Sequence, residues 1–130
     1  MKITRFEDVE AWKAARRLVN LAYESTSGRS FIRDFELRRQ MITSAASAMA
    51  NIAEGFDSGS DPEFARFLRI SQRSATEFQS HLYVASDRGY LEPEDFTRLY
   101  AAASEVKKLV GGFIKHLEKT PARARLRTKD

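Results

Sequence analysis

The 130-residue chain contains no cysteine. Disulfides, thiol nucleophiles and thiolate metal sites are therefore excluded, and a cytoplasmic location is expected. Histidine is nearly absent too. His81 and His116 are the two present, and neither stands in a metal-ligand pattern with a second histidine. Both are expected to be structural or solvent-facing. Glu77 and His81 are four apart, the spacing closest to the carboxylate–histidine pairs of di-metal bundles, but no second segment repeats it. The sequence has no Gly-x-Ser-x-Gly elbow and no glycine loop able to cradle phosphate. No catalytic residue, metal or cofactor is expected, and the chain reads as a non-enzyme. No apolar run approaches the roughly 20 residues that span a bilayer. The opening Met1-Lys2-Ile3-Thr4-Arg5-Phe6 lacks the apolar core of a secretory signal, so no membrane partner is expected.

Proline is scarce, and its three positions, Pro62, Pro93 and Pro121, fall near the boundaries of four long apolar-patterned segments. At about 100° per residue the first segment, from Glu7 to Ser25, gathers Val9, Trp12, Ala15, Leu18, Val19, Ala22 and Tyr23 on one face. A loop, Ser25-Thr26-Ser27-Gly28-Arg29-Ser30, should follow. The second segment, Asp34 to Gly55, places Leu37, Met41, Ala45, Ala48, Met49 and Ile52 on one face. Phe35, Ile42, Ala46 and Ala53 lie on another. Met41 to Ala53 carries no charge, which predicts burial on more than one side, either by packing within the bundle alone or also against another subunit. Gly55 stands where a left-handed residue would stop the helix.

The third segment starts at Asp61-Pro62-Glu63, with Asp61 as cap and Pro62 at the first helical position. Phe64, Phe67, Leu68, Ser71, Ala75, Phe78, Leu82 and Ala85 form its core face, and Gly89 ends it. The fourth begins near Glu92-Pro93-Glu94-Asp95 and repeats Phe96, Leu99, Ala103, Val106, Val110, Ile114 and Leu117, with Gly111-Gly112 inside it. The pattern predicts an all-α fold, an antiparallel up-down four-helix bundle over residues 1–121. Residues 122–130 should form a flexible basic tail.

The net charge is +4. Arg66, Arg69 and Arg73 fall within about 60° around the third helix. Arg38 and Arg39 open the second helix, and Lys13, Arg16 and Arg17 cluster on the first. Arginine matches phosphate geometry, so these eight are the candidate RNA or DNA contacts. The phenylalanines lie on core faces and add little base stacking. An alternative is a scaffold whose basic face docks an acidic protein. Asn51 and Glu54, three apart beside the uncharged helix, are expected to bond a neighbouring loop or helix end rather than to catalyse.

Several strings resemble a known family. Gln40, Ala45, Ser47 and Asn51-Ile52-Ala53-Glu54-Gly55 are similar to the signature of the four-helix proteins encoded in 23S ribosomal RNA intervening sequences. Phe6-Glu7-Asp8-Val9-Glu10-Ala11-Trp12, with Ala14-Ala15, fits that family's start. Glu63-Phe64, Phe67-Leu68, Ile70, Ser74 and Glu77 fit its third helix, and Gly89-Tyr90-Leu91 its last turn. The sequence departs at Thr43, where the family tends to arginine, and at Arg73, where it tends to glycine; a basic tail is not a family hallmark. The resemblance implies a ring-like homopentamer. It also implies kinship with the accessory variability determinant of diversity-generating retroelements, a basic pentamer that binds nucleic acid and a reverse transcriptase. A reverse-transcriptase-like partner is thus the second expectation.

Overall fold

The computed structural model describes residues 3–119. A 3-10 turn at Phe6–Asp8 leads through extended Val9 into α1 (Glu10–Ser25). A five-residue helix, α2 (Arg29–Arg33), precedes α3 (Phe35–Phe56), α4 (Asp61–Asp87) and α5 (Pro93–Lys119). Every element among the described residues is helical. The expected tail, residues 122–130, lies outside them.

The four long helices pack in the cyclic order α1, α3, α4, α5, each against its two neighbours. Cross-links fix them as antiparallel. Between α3 and α4, Ser47 Oγ meets Ser74 Oγ at 2.8 Å and Ser71 Oγ donates to Ala48 O at 2.8 Å. Between α4 and α5, Gln79 Nε2 donates to Tyr100 O and Ser104 Oγ, and Lys107 Nζ donates back to Gln79 Oε1 at 2.9 Å. Gln79 is buried, and pairing at both ends of its amide removes the cost of placing it there. The upper end of the bundle is where α1 and α4 finish and α3 and α5 begin; the lower end is the reverse.

The core holds the apolar stripes of all four helices, from Leu18 and Met41 to Phe64, Phe78, Leu99 and Val110, all fully buried. Burying each such large side chain contributes roughly 1.5–3 kcal/mol. The expected stripes of α3, α4 and α5 are found with small changes: Met49, Phe67 and Phe96 sit half-buried at the margin. In α1 the stripe is rotated. Ala11, Ala14, Ala15, Leu18 and Ala22 face inward, while Tyr23, expected on the core face, is 50% exposed. Alanine lets α1 lie close to its neighbours, and the larger residues move to the flanks.

Three boundaries differ from expectation. The loop predicted at Ser25–Ser30 gives way to α2 from Arg29, because Phe31 turns inward and is buried. The α4 cap is Ser60, whose hydroxyl accepts from Glu63 N at 3.3 Å, so Asp61 is already helical. Gly55 is not a left-handed stop. It lies inside α3, which continues to Phe56. A Cβ on Gly55 would come within 2.8 Å of both Phe67 Cβ and Phe64 Cδ1. The glycine is required by the approach of α4, not by backbone conformation. Gly89 does end its helix as expected, at φ +76. Its N–H bonds Ser86 O and that of Tyr90 bonds Ala85 O, the paired bonds of a Schellman turn. Of the glycine pair in α5, Gly111 packs against Gln72, while Gly112 faces open space.

Candidate nucleic-acid interface

The eight candidate cations occupy three outer faces. Half are neutralised in place. Lys13 Nζ lies 3.1 Å from Glu10 and Arg39 Nη2 2.8 Å from Glu36. Arg66 holds Glu63 through Nε at 2.6 Å and Nη2 at 3.4 Å, with its guanidinium over the Phe67 ring. Arg69 bridges to Glu118 on α5. The hydrogen bond from Arg66 holds the Glu63 carboxyl below the usual carboxylate range and raises the guanidinium. Hydrogen bonds from Arg39 and Gln40 do the same to Glu36. All of these pairs are exposed, and such pairs contribute about 0–1 kcal/mol each, so a phosphate can displace the carboxylate at low cost.

Arg38 is committed differently. Its Nε donates to Thr26 O at 2.9 Å, and its guanidinium lies 5.8 Å from the centre of the Tyr23 ring. It clamps α3 to the end of α1. Three cations are left: Arg16, Arg17 and Arg73, all exposed and without a carboxylate partner among the described residues. The three faces do not converge on one surface of the chain. Arg73 stands on the outer side of α4, diagonal to α1.

Arg16 and Arg17 line an open cleft of about 500 Å³ with Arg5, Glu7, Trp12, Lys13 and Asn20. Trp12 is half-buried rather than core, packed edge-on against Phe6 at 5.2 Å, and the Arg16 guanidinium lies 5.8 Å from the centre of its ring. The expected lack of aromatic interleaving is thus corrected at one place. An i, i+4 Trp–Arg pair was its signal. A second missed feature is the outer stripe of α5, where Lys108, Lys115 and Lys119 are exposed and unpaired among the described residues.

The signature residues act within the bundle. Asn51 Nδ2 donates to Ser47 O at 2.8 Å and to Ser47 Oγ at 3.1 Å, and Ser47 meets Ser74 of α4. The expectation that Asn51 bonds a neighbouring loop or helix end is corrected: it bonds one turn back in its own helix. Glu54 is exposed, and no hydrogen bond or ion pair reaches it among the described residues. Gln40 Nε2 donates to Glu36 at 2.9 Å. His81 lies 3.4 Å from Glu77, and no cluster of His, Asp and Glu able to hold a metal occurs among the described residues.

Counting charges changes their distribution. Of the 22 lysines and arginines, Lys2, Arg123, Arg125, Arg127 and Lys129 fall outside residues 3–119; of the 18 acids, Asp130 does. The described residues therefore carry 17 of each sign and no net charge. The whole +4 belongs to the two ends of the chain.

The 23S rRNA-intervening sequence protein family matches residues 7–112. The chain belongs to this family. A solved structure from Bacteroides thetaiotaomicron VPI-5482, described as a protein of unknown function from the S23 ribosomal protein family, is similar at 27% identity with a TM-score of 0.69. The match covers 81% of this chain and 94% of that one. No curated protein matches. The Asn51-Ile52-Ala53-Glu54-Gly55 string thus coincides with a close approach of α3 and α4 at Gly55. No helix among the described residues is long and apolar enough to cross a membrane.

Proposed function

We propose that this family member is a homo-oligomer, a ring of five, that binds RNA or DNA and catalyses no reaction. The observation that carries the binding reading is the cleft on α1. There two unpaired arginines, Arg16 and Arg17, stand beside the half-buried Trp12. A guanidinium offers bidentate contacts to phosphate, and an indole face accepts a stacked base. Five copies of the cleft on one particle would engage a polyanion together, which multiplies weak single contacts into useful avidity. The cations at Arg123, Arg125, Arg127 and Lys129 add sequence-independent attraction.

The test is a fluorescence-anisotropy titration with a single-stranded RNA and a DNA duplex between about 50 and 200 mM salt. The logarithm of affinity should fall linearly with the logarithm of salt. Arg16→Gln with Arg17→Gln should flatten that slope by about 1.4 for the single strand or 1.8 for the duplex per engaged subunit. Absence of binding to either probe at the lowest salt would end the reading.

A further inference from the structure

The five large hydrophobic side chains that are substantially exposed among the described residues are Tyr23, Ile32, Phe35, Tyr83 and Val84. All five lie at the upper end of the bundle. They form two groups. Tyr23, at the end of α1, and Phe35, at the start of α3, line a depression of about 370 Å³ with Arg38, Arg39, Ile42 and Thr43; Ile32 is on the adjoining α2. Phe35 is 69% exposed, the most of any large apolar residue. On α4 and α5, Tyr83 lies edge-on to Phe96 at 5.1 Å and to Tyr100 at 6.2 Å, while Phe96 and Tyr100 stack at 5.9 Å. With Thr97 and Ala101 these rings line a groove of about 380 Å³.

The cyclic order of the helices puts these groups on opposite flanks, α1 with α3 on one side and α4 with α5 on the other. They stand at the same height. Neither is closed by the bundle itself, and exposed aromatic side chains grouped beside a groove offer a contact surface. The flanks differ in charge. Residues 23–43 carry four cations and three acids, whereas residues 83–101 carry four acids and two cations. The first flank also runs on down α3 through Ala46, Ala50 and Ala53, outward-facing positions of the uncharged stretch. Two different patches of opposite charge on opposite sides are what a head-to-tail interface requires; a two-fold interface uses one patch that matches itself.

We propose that the Phe35 flank of one copy of this chain docks into the Tyr83–Phe96–Tyr100 groove of the next, in a heterologous interface that repeats around a closed assembly. This deepens the homo-oligomer reading above and rests on it. Phe35 supplies the projecting ring, and an aromatic-lined groove receives it edge-on or stacked. The rotation between copies closes the assembly, so no apolar flank is left over.

The test measures mass by light scattering at micromolar concentration for the full chain, Phe35→Asp, Tyr83→Asp and an equimolar mixture of the two variants. Both positions are exposed, and circular dichroism checks that each variant keeps its helices; Ile32→Asp replaces Phe35→Asp if that variant does not fold. Each variant alone should drop to the mass of one chain. The mixture should give a two-chain species and nothing larger, because only one intact flank pair is left. If Tyr83→Asp keeps the parent mass, or Phe35→Asp does, the interface lies elsewhere and the inference fails while the oligomer reading stands. A parent protein that is itself monomeric overturns both.

Discussion

At the lower end of the bundle Phe56 and Phe64 are 4% and 0% exposed and meet edge-on at 6.0 Å, with Phe113 against Phe64 at 5.1 Å. At the upper end Tyr23, Phe35 and Tyr83 are half or more exposed. Phe31 is buried at the upper end as well, but these three rings stay outside. Gly55 lets α3 and α4 approach closely beside Phe64 and Phe67, and Phe56, Phe64 and Phe113 pack against one another there. Above, the two helices that finish and the two that begin are tied by polar links, Arg38 to Thr26 O and Tyr90 Oη to Asp34 Oδ2 at 3.0 Å. Those links hold the end; the Arg38 guanidinium lies against the Tyr23 ring, while Phe35 stays 69% exposed. The exposed rings of the upper end are the surface on which the proposed contact rests.

The sharpest challenge to this contrast is a matched pair of truncations. Phe64→Ala should cost about 3–5 kcal/mol in urea unfolding whatever the protein concentration. Phe35→Ala should cost less than about 0.5 kcal/mol in dilute protein, and more as concentration rises and assembly adds to stability. Equal losses at both positions, independent of concentration, would abolish the distinction between the ends. Next in size is Gly55→Ala. Its methyl group must displace Phe67 Cβ, and after the helix-propensity gain from alanine a net loss of about 1–2 kcal/mol remains. A neutral result would mean that the close approach below does not depend on a glycine. The smallest effect concerns the polar tie above. The hydrogen bond to Asp34, then burial, raises the Tyr90 hydroxyl above its usual value. A raised folded-state value means that the stabilisation is fully present below the unfolded tyrosine value of about 10 and is lost as pH rises through the folded one. Urea midpoints of the parent protein should therefore fall relative to Tyr90→Phe across that alkaline window and keep a constant offset below it.

Much of this was legible from periodicity. The core faces of α3, α4 and α5 follow the three-and-four spacing of Leu37 to Ile52, Phe64 to Ala85 and Leu99 to Leu117, because long helices give that signal many repeats. The α1 stripe was harder to place. Its inner face is mostly alanine, so Tyr23 and Trp12 drew the apparent face toward themselves. The short α2 carries a single buried anchor, Phe31, and one anchor has no period. Gly55 stood out in the sequence, but a glycine near a helix end suggests a stop. Only the position of Phe67 on the facing helix shows that it is a point of contact. Among the candidate binding residues, Arg16, Arg17, Arg39, Arg66, Arg69 and Arg73 are exposed, whereas Arg38 is half-buried against Thr26. Three of the ion pairs, Lys13 with Glu10, Arg39 with Glu36 and Arg66 with Glu63, stand at i, i+3 and were within reach of helical spacing; the fourth was not. The Arg69–Glu118 pair joins residues 49 apart in sequence.

The even balance of 17 cations and 17 acids over residues 3–119 separates two properties that are usually mixed. The helical fold is written in residues 3–119, whereas the protein's electrical sign is written in Lys2 and in the stretch from Arg123 to Lys129. Changes there can retune attraction to any polyanion while residues 3–119 keep their even balance of charge. A protease that trims residues 120–130 removes most of the protein's net positive charge, leaving the charge balance of the helices as it was. On an ion-exchange column the trimmed and untrimmed forms would part widely.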